Sequence, residues 1–76
     1  MQLKVHTESK TYSGRPAECL AAMSKDRWYT GQRSVDWMGD VASKARRETG
    51  KPVRVDTALT FLEDLAGAGL VRLEKS

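Results

Sequence analysis

The last third of the chain constrains the fold most, because it contains a helix, a stop signal and a strand in direct succession. Between residues 58 and 66, apolar residues recur at the spacing of one helix face. Asp56 is the predicted N-cap, since its carboxylate can accept a free backbone N–H at the helix start. Gly69 is the predicted stop, because glycine adopts the left-handed conformation without a Cβ penalty. Leu65 and Leu70 then form the hydrophobic pair of a Schellman motif.

The N-terminus supplies the partners that the C-terminal strand, residues 70–74, requires. Leu3 and Val5 alternate with polar residues, which is the period-two pattern of a half-buried strand. Residues 10–13 are predicted to form a second strand with Tyr12 facing the core, so the two strands make a β-hairpin. Because an isolated hairpin is marginal in water, we expect all three strands to join one sheet.

Two more helices are predicted between the hairpin and the last helix. Pro16 suits the first position of a short helix that ends near Ser24, since its missing N–H costs nothing there. Ser34 is the predicted N-cap of a longer helix that ends at Gly50, with Trp37 at the edge of its apolar face. The predicted apolar stripe of this helix is Val35, Met38, Val41, Ala42 and Ala45.

These elements predict a single α+β domain over residues 1–76. A small three-stranded antiparallel sheet packs against three helices, in the order β-β-α-α-α-β. A chain of 76 residues buries only about 60% of its unfolded surface, so we expect modest stability. The predicted core is Leu3, Val5, Tyr12, Cys19, Leu20, Met23, Met38, Val41, Ala45, Leu59, Leu62, Leu65, Val71 and Leu73.

The opening of the chain carries a second kind of information. It follows the pattern K-x-Y-x-G-x-P-x-E, formed by Lys10, Tyr12, Gly14, Pro16 and Glu18. This pattern resembles the start of a group of small uncharacterised bacterial proteins, in which a hairpin runs into a proline-started helix. Those proteins end in a helix–Gly–Leu strand, which residues 62–73 match. The resemblance implies the topology given above and implies no activity.

The residue types that carry enzymatic chemistry are scarce. His6 and Cys19 are the only histidine and cysteine, and a nucleophilic pair would require them to meet. His6 is predicted on the outward face of a strand and Cys19 on the inward face of a helix. Asp36 and Asp40 are expected to lie on a solvated helix face rather than to share a cation. We therefore predict no enzyme activity, catalytic residue, metal site, cofactor or small-molecule substrate.

The compartment follows from two negative observations. No apolar run approaches the ~20 residues of a membrane span. The chain opens on a strand pattern rather than on a signal peptide. We therefore expect a cytoplasmic protein that has no membrane contact.

The C-terminal helix also resembles the recognition helix of winged-helix DNA-binding proteins, because the sequence A-G-L-V and a strand follow it. That resemblance implies that residues 56–68 enter a DNA groove. Asp56, Glu63 and Asp64 lie in this segment, which has no Lys or Arg. Its charge therefore opposes an approach to phosphates.

Positive charge is concentrated elsewhere, around an aromatic pair and near the end of the long helix. Cations with interleaved aromatic residues can hold a nucleic-acid backbone and stack its bases. Cations near a helix C-terminus are also what compensation of the helix dipole predicts. The candidate nucleic-acid or anion-binding residues are Arg27, Trp28, Tyr29, Arg33, Lys44, Arg46, Arg47, Lys51 and Arg54.

The leading functional prediction is a small bacterial protein-interaction or accessory regulatory module. Its partner is another protein or a second copy of the chain in a homodimer. The exposed edges of a small sheet invite strand pairing unless charge blunts them. Trp28 or Trp37 would then serve as an aromatic anchor. Nucleic-acid binding through the basic surface is the alternative.

Overall fold

The computed structural model describes residues 1–75. Within this range it has an α+β fold in the predicted order β-β-α-α-α-β. The strands are β1 (Leu3–His6), β2 (Thr11–Gly14) and β3 (Arg72–Lys75), and the helices are α1 (Pro16–Lys25), α2 (Trp37–Thr49) and α3 (Ala58–Gly67). In the part of the chain described, no helix has both the length and the apolar character needed to cross a bilayer.

The first strand lies at the centre of the sheet. The strand order is β2-β1-β3, and both pairings are antiparallel. Val5 is opposite Tyr12 on one side and Leu73 on the other. Leu3 and Val5 are buried beneath the helices, whereas Lys4 between them is exposed. The prediction that the two ends of the chain share one sheet is therefore confirmed.

The core differs from the predicted one at five positions: two aromatic residues join it, and three predicted members are less buried than expected. Phe61 and Trp37 are 0% and 5% exposed, and their ring centroids lie 5.8 Å apart. Both are central to the core, although the helix pattern placed Trp37 only at the edge of its stripe. Three residues predicted to be buried are only partly so, and they pack around this centre: Met38, Leu59 and Leu73.

The predicted start of α2 at Ser34 is wrong, because Asp36 is the N-cap. Asp36 Oδ1 accepts the Gly39 N–H at 3.1 Å. The Ser34 hydroxyl instead accepts the Asp36 N–H at 3.1 Å and donates to the Asp40 carboxylate. Ser34 therefore closes the turn that precedes the helix. Val35, predicted to open the apolar stripe, lies outside the helix and is fully exposed.

The start of α3 differs from the prediction by one residue. Thr57 is the N-cap, and its Oγ1 accepts the Thr60 N–H at 3.1 Å. Asp56, the predicted cap, accepts the Thr57 N–H at 3.1 Å and lies just outside the helix. Because both side chains can satisfy backbone donors, the sequence alone favours neither.

The predicted end of α3 is confirmed. Gly69 has a φ of 80°, which is the left-handed region that glycine enters without a Cβ penalty. The Leu70 N–H donates to the Leu65 carbonyl at 3.0 Å, and the Gly69 N–H donates to the Ala66 carbonyl at 3.0 Å. These are the two hydrogen bonds of a Schellman motif. The chain runs on to β3, which begins at Arg72, two residues later than predicted.

The connector between α2 and α3 is held by one carboxylate. Asp64 Oδ2 accepts the Arg54 backbone N–H at 2.8 Å and Nε–H at 2.9 Å, and Oδ1 accepts from Nη2 at 3.2 Å. The Arg54 guanidinium and backbone N–H hold the pKa of Asp64 below its usual value.

A second carboxylate, that of Asp26 at the end of α1, also accepts two side-chain hydrogen bonds. The donors are Lys10 and Tyr12, and these bonds lower the pKa of Asp26.

We expect the protein to lose stability as the pH falls from about 5 to about 2. The folded-state pKa values of Asp26 and Asp64 lie below the ordinary carboxyl value. Their contribution is therefore complete above the unfolded pKa and is lost as the pH falls through the folded pKa. Thermal unfolding followed by circular dichroism across this range measures the loss.

The matched variants for this test are Asp64→Asn and Glu8→Gln. Asp64→Asn should unfold at a lower temperature than the wild type at neutral pH. Its unfolding temperature should also fall less on acidification than that of the wild type. Glu8 is exposed and makes no ion pair within residues 1–75, so Glu8→Gln should follow the wild-type curve. Equal acid sensitivity in Asp64→Asn and the wild type would contradict the assignment to Asp64.

Candidate functional site

The connection after α1 contains the aromatic part of the predicted basic surface. The Trp28 N–H donates to the Met23 carbonyl at 2.9 Å, and the Arg27 N–H donates to the Ser24 carbonyl at 3.0 Å. This is again a Schellman motif, but Arg27 occupies the position that glycine usually takes, with a φ of 55°. Tyr29 also has a left-handed φ, of 71°. Each costs about 1–2 kcal/mol, so contacts from elsewhere must hold this turn.

Those contacts come from α2. Trp28 and Tyr29 are stacked with their ring centroids 5.1 Å apart. Lys44 Nζ donates to the Tyr29 carbonyl at 2.7 Å and lies 4.6 Å from the Tyr29 ring centroid. The Tyr29 hydroxyl donates to Glu48 at 2.5 Å, and burial together with this bond raises the pKa of Tyr29 to about 12. Trp37 Nε1 donates to the Trp28 carbonyl at 3.1 Å. Trp28 and Tyr29 therefore attach the segment that follows α1 to α2.

The predicted basic residues fall into two classes in the structure. Lys44 and Arg54 are bound to neighbouring segments, and Lys51 Nζ donates to the Gly67 carbonyl at the end of α3, at 3.1 Å. The other four cations are exposed and have no ion-pair partner within residues 1–75: Arg27, Arg33, Arg46 and Arg47. The positive surface available to a ligand is therefore smaller than the sequence suggested.

His6 and Cys19 lie on opposite sides of the sheet. His6 contacts Thr11 Oγ1 at 3.0 Å and Glu74 Oε1 at 2.5 Å on the outer face. Cys19 is buried in the core, and this burial raises the pKa of its thiol. Among residues 1–75, no group of three His, Cys, Asp or Glu side chains is arranged to hold a metal ion.

A groove that the sequence did not predict lies where the three helices meet. Its volume is about 510 Å³. Leu20 and Trp37 form its floor, where the core reaches the surface. The lining consists of Ala17, Leu20, Ala21 and Ser24 from α1, residues 34–38 before and in α2, and residues 55–58 before and in α3.

Two valines line this groove without being covered. Val35 is fully exposed and Val55 is half-exposed. Apart from Met1, these are the exposed large apolar side chains of residues 1–75. Full burial of a valine contributes about 1.5–3 kcal/mol, and the fold leaves that contribution unused at Val35 and about half of it unused at Val55.

Local hydrogen bonds hold both valines at the groove. Val35 lies between Ser34 and Asp36, whose side chains bind α2 and its preceding turn. Val55 follows Arg54, whose backbone N–H and side chain are both bound to Asp64. The valines are therefore exposed on ordered segments.

One signal in the sequence could have revealed the groove. The dipeptide Val-Asp occurs twice: Val35-Asp36 stands directly before α2, and Val55-Asp56 is separated from α3 by its N-cap Thr57 alone. A valine that precedes a helix start in this way is not part of a buried helix face. The pattern was missed because Val35 also fits the apolar spacing of a helix that begins at Ser34.

No protein-family model matches this chain, and neither a curated protein nor a solved structure matches it.

Proposed function

We propose that the protein is a small non-enzymatic interaction module that docks a segment of a partner protein in the groove. The exposure of Val35 is the observation that carries this proposal. An ordered, fully exposed valine next to a half-exposed one, over a floor of Leu20 and Trp37, is an apolar surface that lacks a partner. Apolar side chains over an aromatic floor are typical of the centres of protein interfaces.

The geometry suits a narrow ligand rather than a broad one. One wall is the face of α1 between Ala17 and Ser24, and the others are the N-terminal ends of α2 and α3, so the apolar surface is short. A folded partner would have to present a protruding segment to reach Leu20 and Trp37. We therefore place the partner's contact in one segment with a few apolar side chains.

Selection of a random peptide library on the immobilised protein tests this function. We expect enriched peptides to bind the wild type and to lose at least about tenfold in affinity on Val35→Glu, since a charge then occupies the apolar surface. Val35 makes no core contact, so this variant should unfold at the wild-type denaturant concentration.

The control is Ser43→Glu, which adds the same charge to an exposed position of α2 outside the groove lining. It should leave peptide binding unchanged. The proposal fails if no peptide is enriched, or if the enriched peptides bind Val35→Glu as tightly as the wild type.

Nucleic-acid binding is the second candidate, and it is favoured by the four arginines of the predicted basic surface that have no ion-pair partner within residues 1–75. Binding to a short mixed-sequence duplex should weaken steeply between low and moderate salt, because neutralised phosphates release counterions. Arg46→Glu with Arg47→Glu should abolish it, whereas Lys4→Glu, on the outer face of the sheet, should reduce it little. Absence of binding at low salt would end this candidacy.

A further inference from the structure

We propose that the groove binds an amphipathic helix that carries lysine or arginine beside its apolar face. This inference rests on the proposed function and names the class of partner. It starts from the repeated Val-Asp dipeptide, because both copies converge on the groove. Each copy presents one exposed valine and one exposed carboxylate, from Asp36 and Asp56.

The groove has the opposite charge to the protein as a whole. The formal net charge of the chain is +3, yet among residues 1–75 the charged side chains that line the groove are those of Asp36 and Asp56 alone. Arg33 and Arg54 adjoin lining residues in the chain without lining it, and Arg54 is bound to Asp64. The N-termini of α2 and α3 contribute only about half a positive charge each, so the two carboxylates keep the groove negative.

Both carboxylates have capacity for a ligand. Asp36 Oδ1 accepts the Gly39 N–H, and Asp56 Oδ1 accepts the Thr57 N–H. Each carboxylate has two oxygens and about four acceptor positions, so each can also accept from an ammonium or guanidinium group. A partner with a basic side chain next to an apolar one would therefore find both an apolar and an acidic contact at each Val-Asp pair.

Charge also decides between a partner protein and a second copy of this chain. A symmetric dimer formed through the groove would bring four carboxylates together, two from each copy. Like charges in contact oppose such pairing. A basic amphipathic partner meets no such repulsion, and we therefore assign the groove to a different protein.

The walls favour a helical ligand over an extended one. A common way for an extended peptide to bind is to add a strand to a sheet edge, and none of the described strands lines this groove. A peptide that buries its backbone here gains no strand partner, whereas a helix satisfies its own N–H and C=O groups internally. An amphipathic helix laid in an apolar groove meets both requirements.

Two short helical peptides with identical leucine positions test this inference. One carries lysine at every polar position and the other carries glutamate. Fluorescence anisotropy of each labelled peptide, titrated with the full chain, gives the affinities. We expect the leucine–lysine peptide to bind at least about tenfold tighter, because two favourable ion pairs replace two repulsive contacts.

Variants then locate the contacts. Asp36→Asn with Asp56→Asn should weaken the leucine–lysine peptide by about tenfold and leave the leucine–glutamate peptide no weaker. Asparagine remains a good N-cap, so α2 keeps its start. Glu8→Gln with Glu63→Gln removes the same charge outside the groove and should have no effect on binding. Val35→Ser should weaken the leucine–lysine peptide as well.

The outcomes separate this inference from the proposed function. If the glutamate peptide binds as tightly as the lysine peptide and Val35→Ser weakens both, the charge assignment is overturned and the groove remains a docking site. If neither peptide binds, or if Val35→Ser has no effect on either, both are overturned. Sedimentation showing a wild-type dimer that Val35→Ser dissociates would assign the groove to a second copy and overturn the inference.

Discussion

Replacing Phe61 by alanine is expected to lower the free energy of unfolding by about 3–5 kcal/mol. Phe61 is 0% exposed and has the largest side chain among the fully buried residues. It contacts Trp37 across the interface between α3 and α2. The variant loses the transfer free energy of the ring and leaves a cavity that the surrounding helices cannot close. Urea denaturation followed by circular dichroism measures the effect.

The size of that loss decides whether a chain of this length remains folded. Single domains are typically stable by about 5–15 kcal/mol, and small ones bury the least surface. Phe61→Ala should therefore unfold a substantial fraction of the molecules at room temperature. Leu59→Ala is the control, because Leu59 lies in the same helix and is only partly buried, so its loss should be smaller. Equal losses would contradict a core centred on Phe61.

Replacing Trp37 by alanine should also cost about 3–5 kcal/mol. Trp37 is 5% exposed, and its Nε1–H donates to the Trp28 carbonyl at 3.1 Å. The alanine variant loses the ring packing on Phe61 and the hydrogen bond to that carbonyl, which still accepts the Thr30 N–H at 2.8 Å. Trp37→Phe retains most of the packing and should cost only about 0.5–1.5 kcal/mol, the net contribution of one hydrogen bond.

The two Trp37 variants separate packing from hydrogen bonding. Both are measured by denaturant unfolding, with Trp28→Ala as the control. Trp28 is only partly buried, so its removal should cost less than the removal of Trp37. A Trp37→Ala loss below about 1 kcal/mol would place Trp37 outside the core. Trp37 also forms part of the floor of the groove, so its replacement would alter binding and stability together. The binding tests therefore use Val35, which contributes nothing to the core.

The order and type of the elements could be predicted from the sequence because their signals are local and agree with each other. The glycine at 69, the leucines at 65 and 70 and the periodicity of α3 all indicate one helix with one end. The joining of β3 to the N-terminal hairpin followed from elimination, since the N-terminus held the other strand patterns, but the sequence did not tell which strand of the hairpin it would pair with. Agreement between local signals is what makes such a prediction dependable.

The errors arose where two neighbouring residues could perform the same task. Ser34 and Asp36 are both good N-caps, and so are Asp56 and Thr57. In each case the chosen residue begins the helix too early. At α2 the predicted start at Ser34 placed Val35 in the apolar stripe, whereas the observed start leaves Val35 exposed. The groove that Val35 lines was therefore not predicted. Phe61 and Trp37 were underrated because periodicity ranks positions by spacing and takes no account of side-chain volume.

The functional residues were harder to predict, because the sequence shows charge but not its partners. Lys44, Lys51 and Arg54 have the composition of a binding surface, yet each is bound to a neighbouring segment of its own chain. The left-handed Arg27 had no signal at all, since arginine seldom takes that position. The groove depends on three segments that are distant in sequence, which only the folded chain brings together.

The central position of β1 has a consequence for synthesis. This strand is translated before both of its neighbours in the sheet, and one of them, β3, ends at Lys75. Leu3 is paired with Lys75, so closing the sheet joins residues 72 apart, which follows from 75 − 3. On the ribosome the hairpin must wait, with one edge of β1 unpaired, until that last strand has emerged. Until β3 is available, one edge of β1 stays open, and charged Lys4 on that strand reduces its tendency to pair with other chains.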